Sequence, residues 1–297
     1  MSWMAVEERS SRFWIILMVR ITHALGNRVG QALLYPISLF FLLTNRGTYA
    51  ASKRFFRKAL GHEPRFSDFF RQYHTFASTL FDRMQMLTRP DLALKMNIHG
   101  LEDLERASGS GSGCLLVGSH LGSFDIIRMI GKTQGGIKVK IVMFGEATPQ
   151  IFEVFKSLNP ELHEDIVSVP GPSAMIGLAA DRDEGRILGL LGDRVLPGER
   201  TIRLPFFGET ATFATTAGYV ADILELPVIQ FFCLHRAWGE YDIHFIPLSW
   251  PTETSRGHRS ERIESLTTRY AANLEYHARK APHNWFNFHD FWAEPSQ

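Results

Sequence analysis

The feature that most constrains this chain is an alternation of short apolar runs with longer helix-patterned stretches between residues 114 and 234. The runs lie at 114–118, 139–144, 166–169, 187–191 and 228–234, and the stretches between them centre near 123–133, 148–157, 172–183 and 212–225. Short, continuously apolar runs set between helical stretches predict strands buried on both faces. Neighbouring parallel strands need a crossover connection, and a right-handed helical crossover supplies it. The predicted class is therefore α/β, with a largely parallel central sheet flanked by helices. Residues 241–247 predict an added edge strand. Residues 259–280 predict a closing helix whose last turn carries Arg279 and Lys280, favourable against the negative end of the helix dipole.

Before the alternation begins, Phe69, Phe70, Tyr73, Phe76, Leu80, Met84 and Leu87 recur at helical spacing, which predicts an amphipathic helix over 66–87 that ends ahead of Pro90. Two apolar runs precede it, FWIILMV at 13–19 and ALLYPISLFFLL at 32–43. Both fall short of the roughly 20 residues needed to span hydrocarbon. Arg12, Arg20 and Arg28 punctuate the first part, and Lys53, Arg54, Arg57 and Lys58 follow the second. This pattern predicts membrane-associated helices lying in an anionic headgroup layer. The other reading is that the same apolar stripe caps the domain core. Residues 1–8 carry two acids and no basic residue, a poor start for a signal peptide. The division that follows is an N-terminal membrane-associated helical segment over 1–60 and one α/β domain over 61–297.

Charge and composition remove several classes of function. Lys and Arg number 32 against 31 Asp and Glu, a net charge of +1, whereas a protein that neutralises many nucleic-acid phosphates carries a large basic surplus. Cys114 and Cys233 sit inside apolar runs, as small hydrophobes do, and fit a reducing compartment. No G-x-G-x-x-G or G-x-S-x-G occurs, and the Gly131-Lys132-Thr133 triplet has Ile126 where a phosphate loop needs its leading Gly. The 12 histidines do not fall at zinc-ligand spacing. Metal dependence, and a nucleotide cofactor held by such loops, therefore have no support in these patterns.

A histidine followed five residues later by an acid occurs three times: His120 with Asp125, His235 with Glu240, and His289 with Glu294. Spacing that recurs this freely carries little by itself. Only His120 stands where an expected strand gives way to a helix, between Gly118 and Gly122, and ligands of open α/β sheets bind at the carboxyl ends of strands. Five residues along one helix turn through about 140°. His120 is therefore expected in the loop and Asp125 in the first helical turn, where its carboxylate would fix the imidazole tautomer. The ring would then serve as a general base, with backbone N–H groups at the helix start stabilising an oxyanion. A loop histidine beside a first-turn acid held by the helix dipole is the plainer alternative.

HLGSFD at 120–125 resembles the H-x-x-x-x-[DE] block of the lysophospholipid acyltransferase-like superfamily, and its surroundings resemble the lipid A biosynthesis (lauroyl/myristoyl) acyltransferase branch. Further blocks follow in order: ILGLLGDR at 187–194, RLPFFGETATFATTAGYVADILELPVIQFF at 203–232 and PHNWFNFHDFW at 282–292. The resemblance implies a fatty-acyl transfer from acyl carrier protein or coenzyme A to a hydroxyl or amine of a lipid acceptor. It places the protein at the cytoplasmic face of a bacterial inner membrane. His120 and Asp125 would be catalytic, and Gly122, Ser123, Asp193, Arg194, Arg203, Phe207, Gly208 and Glu209 would contact substrate. Asp125 stands where the lipid A enzymes carry Glu, and no clean counterpart of the family's Arg precedes Asp193, so glycerolipid, ornithine-type lipid and polyene-pigment acceptors stay open beside a lipid A precursor. A membrane-bound lipid-binding protein and a thioesterase or lipid hydrolase are the readings from other classes.

Overall fold

A computed structural model describes residues 22, 26–88, 94–109, 111, 113–124, 126, 139–144, 166–169, 174–251 and 258–294. Its centre is a seven-stranded sheet built from β1 (Lys95–His99), β2 (Leu115–Gly118), β3 (Val139–Phe144), β4 (Ile166–Val169), β5 (Ile187–Leu191), β8 (Val228–Ala237) and β9 (Glu240–Ser249). The strand order is β1-β9-β8-β2-β5-β3-β4, and every neighbouring pair is parallel except β8 with β9. The five expected strands are all present. The sixth, expected at 241–247, is β9, but it lies inside the sheet and not at its edge because β1 pairs outside it. β1 escapes the sequence pattern for a physical reason: KMNIH is an edge strand whose residues alternate between exposed and half-buried, so no continuous apolar run marks it.

Around the sheet lie α1 (Asn27–Thr44), α2 (Arg46–Leu60), α3 (Phe66–Thr88), α4 (Leu101–Ser108), α5 (Ala174–Asp183), α6 (Thr216–Leu224) and α7 (Arg259–Lys280). The helices expected near 123–133 and 148–157 fall almost wholly outside the described residues. The helix expected over 212–225 is corrected. Residues Glu209–Ala214 form β7, which pairs antiparallel with β6 (Thr201–Phe206) as a separate hairpin turning at Phe207 and Gly208. Ala211 and Phe213 are buried while Thr210 is exposed and Thr212 half-exposed, so the period there is two and only the part from Thr216 is helical.

Successive residues of β2 feed opposite faces of the sheet, Leu115 and Val117 to one apolar cluster and Leu116 to another. The first cluster takes the α7 stripe of Leu266, Tyr270, Leu274 and Ala278, the β6–β7 hairpin, Trp285 and Phe291. Phe55 and Phe56 of α2 are 2% and 0% exposed in that same cluster, so α2 is part of the domain's own packing. α1 differs. It buries Gly30, Leu34, Ser38 and Leu42 and leaves Val29, Tyr35, Leu39, Phe40 and Leu43 exposed. No described helix is long and apolar enough to cross a membrane.

Candidate active site

β2 and β5 are parallel neighbours, so the residues just past their carboxyl ends meet. His120 follows β2 and Asp193 follows β5. The Asp193 carboxylate receives the His120 backbone N–H on Oδ2 at 2.8 Å and lies 2.9 Å from His120 Nδ1 through Oδ1. Facing an ionised carboxylate, Nδ1 carries the proton, which leaves Nε2 as the basic atom of the ring. The Asp193 side chain has no exposed surface, whereas that of His120 keeps 19%, enough for a reactant to reach it.

The loop that carries His120 is stitched to β8 and to the segment after α7. Gly122 N donates to Asn284 O, Ser123 N to Cys233 O, and Phe286 N to His120 O, each at 2.8 Å. Leu121 bridges Trp285 and Gly122 bridges Cys233 as isolated β-pairs. Gly122 has φ +83°, and a Cβ there would stand 2.0 Å from Cys233 O, so both the backbone turn and the close approach require glycine. Tyr270 Oη donates to Gly118 O at 2.8 Å and fixes the end of β2. The N–H groups of Gly122 and Ser123 are committed to these bonds, so they are not the oxyanion donors expected at the helix start.

Asn287, buried to 1% exposure, donates from Nδ2 to Asp193 Oδ2 at 2.7 Å and accepts from Arg194 Nε on Oδ1 at 3.2 Å. Burial is the largest single influence on Asp193 and pushes its pKa up. It is outweighed by the His120 charge and hydrogen bond, by Arg194 and by the His120 backbone N–H, which hold the carboxyl down at about 2. His120 is pushed below the ordinary histidine value, first by burial and then by Arg194, against the attraction of Asp193. The resting pair is an ionised Asp193 and a neutral imidazole. His289 shares this field. Burial, Arg194 and His120 push it down to about 4 against Asp193 and Asp290.

Of the residues expected at the site, His120, Gly122, Ser123, Asp193 and Arg194 come together. Asp125 lies outside the described residues, and the carboxylate found on the imidazole is Asp193. Phe207, Gly208 and Glu209 form the hairpin turn. Phe207 is buried with φ 52°, its N–H donates to Glu275 Oε2 at 2.6 Å, and its ring sits edge-on to Phe55 at 5.7 Å. Glu209 is paired with Lys58 and, at 2.6 Å, with Arg54, which also grips both oxygens of Asp290 at 3.0 and 2.8 Å. The turn is thus tied to α2 and the aromatic tail by packing and ion pairs. Arg203 is exposed on β6, and no hydrogen bond or ion pair among the described residues joins it to the His120 cluster.

Asn287, His289 and Tyr270 were missed as site residues. The signal for Asn287 was a single amide among the aromatic residues of WFNFHDFW, and nothing in the sequence pairs it with Asp193. His289 had drawn notice only for its spacing to Glu294. The remaining histidine of that spacing, His235, serves elsewhere: its Nε2 stands 3.9 Å from Asp82, and Glu240 pairs with Lys95 at 3.1 Å.

No curated protein matches the chain. The family of bacterial lipid A biosynthesis acyltransferases matches it from residue 68 to residue 294, well over half its length and every described element from α3 to the aromatic tail. With this match and the His120–Asp193 geometry at its centre, the chain belongs to the bacterial lipid A biosynthesis acyltransferase family.

Proposed function

We propose that this acyltransferase moves a fatty-acyl group from an acyl carrier protein or coenzyme A thioester to a hydroxyl or amine of a lipid at the cytoplasmic face of a bacterial inner membrane. The observation that carries the proposal is the Asp193 carboxylate on His120 Nδ1, which directs the basic Nε2 toward a reactant. Nε2 takes the acceptor's proton as the acceptor oxygen or nitrogen bonds to the thioester carbonyl carbon. The imidazolium formed is stabilised by Asp193, and Arg194 adds positive charge beside the developing oxyanion. Collapse breaks the carbon–sulfur bond, and the departing thiolate takes the proton back from Nε2. No metal or organic cofactor enters this sequence.

In this reading Asp193 performs the orienting role assigned to Asp125, which keeps a place as the second carboxylate of the motif. The lipid acceptor class rests on the family, and its identity among lipid A precursor, glycerolipid, ornithine-type lipid and polyene pigment is an open choice. The exposed apolar stripe of α1 supports attachment in the plane of the interface, with the segment to residue 60 as the attachment part and 61–297 as the part carrying chemistry, although α2 shares its core. His120→Ala, kept folded and membrane-bound, should abolish transfer of a radiolabelled acyl group to extracted lipid. Near-normal transfer would overturn the mechanism. Free fatty acid released without acceptor would favour hydrolysis instead.

A further inference from the structure

Behind the His120 loop, a cleft of about 370 Å³ opens between α3 and the end of β8. Asn284 separates the two, for it lines the cleft while its carbonyl accepts from Gly122. The side chains that give the cleft its character are Arg71 and His74 from α3, His235 and Arg236 from the end of β8, Trp238 from the turn after it, and His283. Among the described residues, no carboxylate lines it. The acids nearby are engaged: Asp68 faces His283 at 3.4 Å, Asp242 pairs with Arg236 at 3.2 Å, and Asp82 holds the Tyr241 hydroxyl and the Gly239 N–H.

Arg71 is exposed and makes no hydrogen bond or ion pair with a described residue. On the same lining, His74 Nε2 and His235 Nε2 are buried without a hydrogen-bond partner, and the His235 side chain is only 10% exposed. Buried polar groups are nearly always satisfied, and the His235 nitrogen has only the Asp82 carboxylate, 3.9 Å away, so these two imidazoles leave hydrogen-bonding capacity unused behind the cleft wall. Guanidinium and imidazole groups on a lining that itself carries no carboxylate among the described residues, with Arg71 left without an ion pair, favour an anion of several oxygens.

What lies beside the cleft decides which anion. The Tyr35 ring of α1 sits 4.4 Å from the His74 ring, and Leu34 of α1 shares an apolar cluster with Phe81 and Trp238. The exposed apolar face of α1 therefore begins at the cleft rim. A molecule with an anionic head and an apolar tail would use the cleft and the α1 face together. We propose that this cleft binds the phosphate of an anionic phospholipid, separately from the acyl-transfer site. The proposal rests on the interfacial reading of α1 given above.

The test titrates the full chain with dioctanoyl phosphatidic acid below its micelle concentration, with dioctanoyl phosphatidylcholine and with inorganic phosphate. Saturable binding of the phosphatidic acid is expected, about 10-fold or more weaker in Arg71→Ala and weakened again in Arg236→Ala. The phosphatidylcholine and inorganic phosphate should each bind at least 10-fold more weakly than the phosphatidic acid. Unchanged binding in Arg71→Ala would overturn the site, equal binding of phosphatidylcholine its anion selectivity, and equal binding of inorganic phosphate its lipid character. A Phe40→Asp/Leu43→Asp variant separates cleft from face: it should lose pelleting with vesicles of phosphatidylcholine and phosphatidylglycerol and bind the phosphatidic acid more weakly, yet its remaining saturable binding should still fall when Arg71→Ala is added, and remaining binding indifferent to Arg71→Ala would overturn the cleft. Vesicle pelleting of the wild type without any saturable titration would overturn the cleft and leave the interfacial reading standing.

Discussion

Asn287 Nδ2 donates to Asp193 Oδ2 at 2.7 Å, across 94 residues of sequence, and so places a neutral amide on the oxygen that also takes the His120 backbone N–H, leaving Oδ1 to the imidazole. The Asn287 carbonyl is fixed in turn by Arg194 Nε, so the amide has one orientation. Asn287→Leu should lower kcat by about 10- to 100-fold with KM nearly unchanged, the loss typical of a group that orients a catalytic one. Asn287→Asp, which sets a second carboxylate against Asp193, should be worse. Steady-state kinetics of both variants checks this, and an isolated rise in KM would contradict it.

Asp193→Asn should be the most damaging isosteric change in the protein. The amide can offer N–H to Nδ1 and so favour the tautomer whose proton sits on Nε2, the atom that must accept one. A loss of about 10³- to 10⁴-fold in kcat is expected, by analogy with the same change in hydrolase triads. Asp125→Asn measured beside it apportions the two carboxylates, and a larger loss for Asp125→Asn would return the orienting role to that residue.

The pH profile follows from the direction of the His120 shift. A base acts only when neutral, and burial together with Arg194 pushes its pKa below the ordinary histidine value. The acid limb of kcat/KM should therefore fall below pH 6.5. Arg194→Gln removes the second of those influences, so the limb should move to higher pH. A limb that stays put, or moves down, would show that Arg194 does not act on the base.

Trp285 is 1% exposed, stacks on Phe55 at 5.3 Å, and bridges Leu121 through its backbone. Trp285→Ala should cost about 3–5 kcal/mol of stability from the cavity and lost contacts. Urea unfolding followed by circular dichroism measures it. A cost under about 1 kcal/mol would mean that the aromatic tail is not part of the core.

The sheet was legible because its central strands are buried on both faces and so appear as unbroken apolar runs. β1 was hidden by its place at the edge. The β6–β7 hairpin was hidden because ATFATT reads as the opening of a helix unless one knows that Ala211 and Phe213 point inward together. His120 could be chosen over His235 and His289 from its place at a strand end. Its partner could not be read from residues alone, since periodicity does not tell which strands are neighbours. Only the family resemblance had marked Asp193, and it marked it for substrate contact. The parallel pairing of β2 with β5 is what makes it the imidazole's partner. Asn287 carries no periodic or charge signal at all.

The bonds from His120, Leu121 and Gly122 to Asn284, Trp285 and Phe286 also set an order of events in time. A ribosome delivers HLGSFD long before it delivers the strand of chain that holds that loop in place. A half-made polypeptide would thus remain chemically silent, and competence would arrive abruptly, with the synthesis of the aromatic segment.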